Sequence, residues 1–198
     1  MLRIKNTEKA TLHYPLAKIT LNKVDKPYNI IMLVAESLRD KDIFTEQVMP
    51  YSTAFAKQHD TRFQQHYSGG NGTRQGLFAL FYGLYGIYWD PFLAARRGPV
   101  LLYVLHEYNY QYFLYTGARF TYPEFNQTIF STIPVAQLIE TSSGEPWVRD
   151  AKNIDLLLDR IDKRDTSKPF MSFVFLNRRT HAIRSLKIVL LKKTTYQP

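Results

Sequence analysis

Residues Ser68–Gly83 read SGGNGTRQGLFALFYG, small turn-forming residues that run without a break into an apolar, helix-like segment. Gly69, Gly70 and Gly72 admit backbone conformations that other residues resist. Thr73 falls where the loop becomes a helix. Its hydroxyl is thereby expected among unpaired N–H groups, at the positive end of a helix dipole. Such a place suits a nucleophile that attacks a phosphate or sulfate ester, or a group that binds one. The simpler reading is a helix cap, because Thr is a common N-cap.

A second stretch, Asn29–Ala35 (NIIMLVA), sets the fold class. It is short, continuously apolar and rich in Ile, as a parallel-sheet strand buried on both faces should be. Glu36 follows at once. A carboxylate at the carboxyl end of a buried strand stands where open α/β sheets gather ligands; the other reading is a solvated loop acid. Working outward, helices are predicted over Met49–His59, Thr73–Leu84, Pro99–Tyr108 and Glu145–Asp162. Ile154, Leu157, Leu158 and Ile161 form one apolar stripe on the last of these. Strands are predicted over Tyr110–Thr116 and Pro169–Leu176. Thr61–His66 reads as an edge strand or extended segment, Tyr85–Pro91 as an aromatic loop, and Tyr122–Phe130 as a short helix. This alternation predicts a single α/β domain with a mostly parallel sheet flanked by helices.

The chain has 198 residues and is 45% apolar, enough for one domain with a real core. It has no cysteine, which excludes disulfides, thiolate metal sites and cysteine nucleophiles. The net charge of +9 is unevenly placed. Residues 177–198 carry six basic residues and no acidic one, which leaves only +3 on the first 176. Nucleic-acid binding would rest mostly on that tail and is not expected. No stretch reaches transmembrane length, and the N-terminal residues lack the apolar core of a signal peptide. In the tail, Ile183, Leu186, Val189 and Leu190 share one face of a basic amphipathic helix. Three readings stand: a segment lying on an anionic membrane, a solvated terminal helix, or non-native sequence after a slipped reading frame.

Glu36 and Thr73 converge if both lie on the carboxyl-end rim of the sheet. A hard divalent cation wants carboxylate oxygens, and contact with the Thr73 hydroxyl would activate it. Arg74 and Arg39 would offset charge on the ester, and Asn71 would donate a hydrogen bond. One carboxylate and one hydroxyl leave such a metal site incomplete. His59, His66 and His106 have no partner at ligand spacing, and His181 reads as a solvated residue.

NIIMLVAESLR, followed by MPYSTAFAKQHDTRFQQHYSGGNGTRQGLFALFYGLYGIYW, resembles the sulfatase-like domain of YejM-type (PbgA-type) inner-membrane proteins. These belong to the sulfatase/alkaline phosphatase superfamily, with lipoteichoic acid synthases and phosphoethanolamine transferases as relatives. The resemblance runs from about Tyr14 to Leu176 and is specific across Met49–Trp89. FVFLN is similar to the family's later core strand.

The resemblance implies an alkaline-phosphatase/sulfatase-like fold, incomplete at its C-terminal side. It matches Glu36 to the first acidic metal ligand and Thr73 to the nucleophile, which also touches the metal. Asn71, Gly72 and Arg74 then bind the ester. The implied cofactor is a divalent cation (Mg, Mn, Ca or Zn), held weakly or not at all by this chain. The implied setting is the periplasmic face of the inner membrane. The implied role is envelope lipid and lipopolysaccharide homeostasis, cardiolipin included, with an anionic lipid or a membrane protein as partner. Without Cys, or a Ser followed by the sulfatase signature's Pro and Arg, a formylglycine sulfatase is disfavoured.

Departures from the family pattern predict a fragment. The membrane domain and the later Asp-His and His ligands do not occur here, and NRRTHAIRS stands where a Pro-His-Tyr run belongs. The expected layout is a lead-in over 1–26, the N-terminal part of a sulfatase-like domain over 27–176, and a basic tail over 177–198. Such a half-site is expected to catalyse poorly. The alternative function is a non-catalytic lipid- or protein-binding regulatory module, motivated by Tyr85–Trp89 and the tail.

Overall fold

The computed structural model describes residues 12–38, 41, 45–47, 49–59, 63 and 65–177. Among these residues four strands form one sheet: β1 (Ile30–Ala35), β2 (Gln111–Thr116), β3 (Leu138–Glu140) and β4 (Phe170–Leu176). Their order is β1-β4-β2-β3, and every pairing is parallel. Among the described residues five α-helices accompany them: α1 (Pro50–His59), α2 (Thr73–Tyr82), α3 (Trp89–Ala95), α4 (Val100–Glu107) and α5 (Pro146–Asp162). The expected α/β architecture with a parallel sheet is therefore the observed one.

β4 shows how the sequence builds the core. All seven of its residues are buried, as its apolar run FMSFVFL requires of a central strand. Strand side chains alternate between faces. Met171, Phe173 and Phe175 join the core cluster formed with α2, α3 and α4. Phe170, Val174 and Leu176 join the cluster on the opposite face, where α5 packs through Ile154, Leu157 and Ile161. Leu158 is only partly buried, at the edge of that stripe.

The first core is aromatic. Phe78 stacks on Tyr82 at 4.2 Å and meets Phe92 edge-on at 5.2 Å, while Phe81 meets Phe173 at 5.7 Å. Offset and edge contacts of this kind add about 0.5–1.5 kcal/mol each beyond area burial.

Several expectations are corrected. β1 was expected to be buried on both faces. It is half-buried at the sheet edge, with Ile31 42% exposed, because among the described residues it pairs only with β4. Tyr85–Pro91 is not a loop: a 3-10 turn at Gly86–Tyr88 leads straight into α3. Pro91 lies in the first turn of α3, where its missing N–H costs no intrahelical bond. Tyr122–Phe130 holds only a 3-10 turn, Phe125–Gln127, and β3 was not foreseen. α2 ends at Tyr82, capped by Gly83 in the left-handed conformation, and its Leu80 is exposed. Arg39, the tail from residue 178 and half of Thr61–His66 (residues 61, 62 and 64) lie outside the described residues.

The candidate ester site at the carboxyl ends of β1 and β4

Parallel strands place their carboxyl ends on one rim, and β1 and β4 end there side by side. The Glu36 amide donates to the Leu176 carbonyl at 2.8 Å, which fixes Glu36 directly beyond the last β1 residue. Ser37 follows with φ +52, a left-handed conformation that strains a non-glycine residue. Its hydroxyl donates to Glu36 Oε1 at 3.1 Å.

The glycine loop delivers the second element. Gly72 is the N-cap of α2 at φ −130, with no side-chain cap, and its carbonyl accepts from Gly76 N at 2.8 Å. Thr73 is therefore the first residue within the helix, not its cap. The simpler reading of Thr73 fails for that reason, because its hydroxyl is engaged elsewhere. It donates to Glu36 Oε2 at 2.9 Å, across 37 residues of sequence.

The glycines are needed for a different reason from the one expected. Among Gly69, Gly70 and Gly72 none has a positive φ. The loop instead folds back on the flank of α2. A Cβ on Gly69 would lie 2.1 Å from Ala79 Cβ, and one on Gly70 would lie 2.3 Å from Gln75 Cβ. Close approach, not backbone freedom, demands glycine here.

Arg74 also reaches the site. Its Nη2 donates to Glu124 Oε2 at 2.7 Å, and its guanidinium lies over the Trp89 ring at 5.3 Å. Its Nε is buried without a hydrogen-bond partner. Glu36, Thr73, Arg74 and Gln75 line one cleft of 310 Å³, together with Tyr122, Pro123 and Phe175. Asn71 is exposed on the loop; it and Gly72 stand beside the cleft rather than among its lining residues. Larger cavities, of 820 Å³ along β2 and 490 Å³ beneath Tyr14–Ile19, hold neither Glu36 nor Thr73.

A protein-family model for sulfatases matches residues 28–185 of the chain. The chain belongs to the sulfatase family. An uncharacterized protein of Haemophilus influenzae is 31% identical over 166 residues, which cover 83% of this chain and 27% of that protein. The inner membrane protein YejM of Salmonella typhimurium is 29% identical over 146 residues, covering 72% of this chain and 24% of its own length. The Salmonella typhi YejM matches to the same extent. The chain thus spans about a quarter of the length of the curated relatives it matches.

Sulfatase-family proteins generally use a divalent metal. Glu36 and Thr73 present two hard oxygens 2.9 Å apart. That is about the 3 Å separation of adjacent oxygen ligands on a small octahedral cation, so the pair fits one edge of such a site. Among the described residues no cluster of three His, Asp or Glu gathers to complete it. No described helix is long and apolar enough to cross a membrane.

Sequence reasoning missed Tyr122, Pro123 and Glu124. Their signal was available: they follow the carboxyl end of a parallel strand, β2, where α/β sheets place binding loops.

Proposed function

We propose that the Thr73 rim is the nucleophile end of a phosphate or sulfate ester site, in a metal-dependent hydrolase or transferase of the sulfatase family. The observation that carries this reading is the Thr73 hydroxyl, which opens a helix and donates to Glu36 Oε2 at 2.9 Å. The helix N-terminus favours the anionic end of an ester, with Asn71 and the Gly72–Thr73 amides as donors. Arg74 adds positive charge at the cleft, shared with Glu124. Glu36 and Thr73 would hold the divalent cation, which when bound lowers the hydroxyl's pKa.

In the step itself Thr73 Oγ bonds to phosphorus or sulfur as the bond to the leaving oxygen breaks. The hydroxyl proton is released to solvent water, and the leaving oxygen departs with the electron pair of the broken bond. The kinship to YejM supports a location on the periplasmic face of the inner membrane and a role in envelope lipid and lipopolysaccharide homeostasis, cardiolipin included. An anionic lipid or a membrane protein is the partner this setting supplies. The test is manganese-dependent hydrolysis of an aryl phosphate by the chain and by Thr73→Ala. A rate that falls to background in the variant supports the reading, and equal rates sink it.

A second reading, a non-catalytic lipid- or protein-binding module, draws on the exposed Tyr85, Ile87 and Tyr88, which flank buried Trp89. Co-sedimentation with anionic and neutral vesicles at low and high salt tests it. Binding indifferent to lipid charge would count against an anionic-lipid partner.

A further inference from the structure

The cleft that holds Thr73 has a mixed lining. Glu36, Thr73, Arg74 and Gln75 supply polar groups, and Tyr122, Pro123 and Phe175 supply apolar surface. Phe175 is buried at the end of β4, whereas Tyr122 is 74% exposed.

Tyr122 does not sit on a free loop. Arg119 and Tyr122 form an antiparallel bridge. On one side the Phe120 amide donates to Glu140 Oε1 at 2.7 Å, tying the segment to the end of β3. On the other, Glu124 accepts from Arg74 at 2.7 Å, tying it to the first turn of α2. Thr128 Oγ1 then donates to the Glu124 carbonyl at 2.8 Å and steadies that anchor. The segment that carries the exposed Tyr122 ring is thus anchored on both sides of that residue, and Tyr122 lines the same cleft as the candidate nucleophile.

An ester has a charged end and a leaving group. If the charged end meets Thr73 and Arg74, the leaving group falls against the apolar surface. Resting on the ester reading of Thr73, we propose that Tyr122 and Pro123 form the leaving-group subsite. This subsite selects esters whose leaving group presents a flat, apolar face, aryl esters being the simplest case. A ring stacked on Tyr122 is removed from water on one face and gains an offset aromatic contact.

The test is binding, not turnover. The whole chain is titrated, with manganese and without, against phenylphosphonate and methylphosphonate, which share the anion and differ in the ring. Phenylphosphonate is expected to bind roughly 3- to 10-fold more tightly. Tyr122→Ala is expected to erase that preference at an unchanged melting temperature. Tyr122→Phe is expected to keep it. Equal affinities in the wild-type chain, or a preference that survives Tyr122→Ala, would overturn the subsite while leaving the ester site standing. Binding of neither phosphonate would remove the ester reading and the subsite with it.

Discussion

The Arg74 guanidinium donates to the Glu124 carboxylate at 2.7 Å and joins the first turn of α2 to the segment that follows β2. The pair is about one-third exposed, at 34% and 28%, with Trp89 beneath the guanidinium. Replacing one partner leaves the other charge half-buried and uncompensated. Glu124→Gln is expected to cost about 1 kcal/mol, after discounting for solvent screening. Urea denaturation measures that loss. If Glu124 positions Arg74 for an ester, the same variant should also weaken methylphosphonate binding, which a purely structural pair would leave alone.

The loop before α2 lies against the helix where only glycine fits. A Cβ on Gly69 would meet Ala79 Cβ at 2.1 Å. Ala79 is a short helical side chain and cannot swing away. Gly69→Ala is expected to destabilise the fold by about 1–3 kcal/mol through overpacking. The pair Gly69→Ala with Ala79→Gly should recover part of this, less about 1 kcal/mol for glycine within a helix. Thermal melts of the three variants decide the matter, and a neutral Gly69→Ala would refute the close approach.

Buried tyrosines should make the fold sensitive to alkali. Burial, with repulsion from Tyr110 as the smaller cause, pushes the Tyr112 hydroxyl from 10.0 up to about 12. This hydroxyl donates to the Leu102 carbonyl at 3.0 Å. Burial, then Tyr14, pushes Tyr82 higher still. Its hydroxyl donates to the Arg97 carbonyl at 2.7 Å. The folded state holds these protons beyond the pH at which the unfolded chain releases them. Their contribution is therefore complete below about pH 10 and is lost as pH rises toward the folded values. Denaturation midpoints should hold steady up to about pH 10 and fall between roughly pH 10 and pH 12, and Tyr112→Phe should flatten the slope. A midpoint that holds steady across that range would contradict the burial of these hydroxyls.

Legibility followed the length and continuity of the pattern. β4 and α5 announce themselves because a seven-residue apolar run and a 17-residue amphipathic stripe leave few alternatives. β3 has only three residues and takes its place from pairing with Leu114–Thr116, a contact no local pattern encodes. α3 was hidden because Asp90 and Pro91 carry the same signature in a turn and in a helix's first turn.

At the site, Glu36 and Thr73 were visible because each ends or begins an element. The apolar lining was not, because Tyr122 and Pro123 reach the cleft only through anchors at Glu140 and Arg74. The glycine loop was recognised as special, but its cause was misplaced, since crowding against Ala79 and Gln75 is a tertiary fact.

The central claim is that the Thr73 hydroxyl, paired to Glu36 at 2.9 Å, attacks the ester. Intact-mass spectrometry after incubation with an aryl phosphate and manganese, followed by peptide mapping, tests it most directly. The expected result is one added phosphoryl group on Thr73, missing from Thr73→Ala and strongly reduced in Glu36→Gln. An unmodified chain, or the same added mass in Thr73→Ala, would contradict the claim.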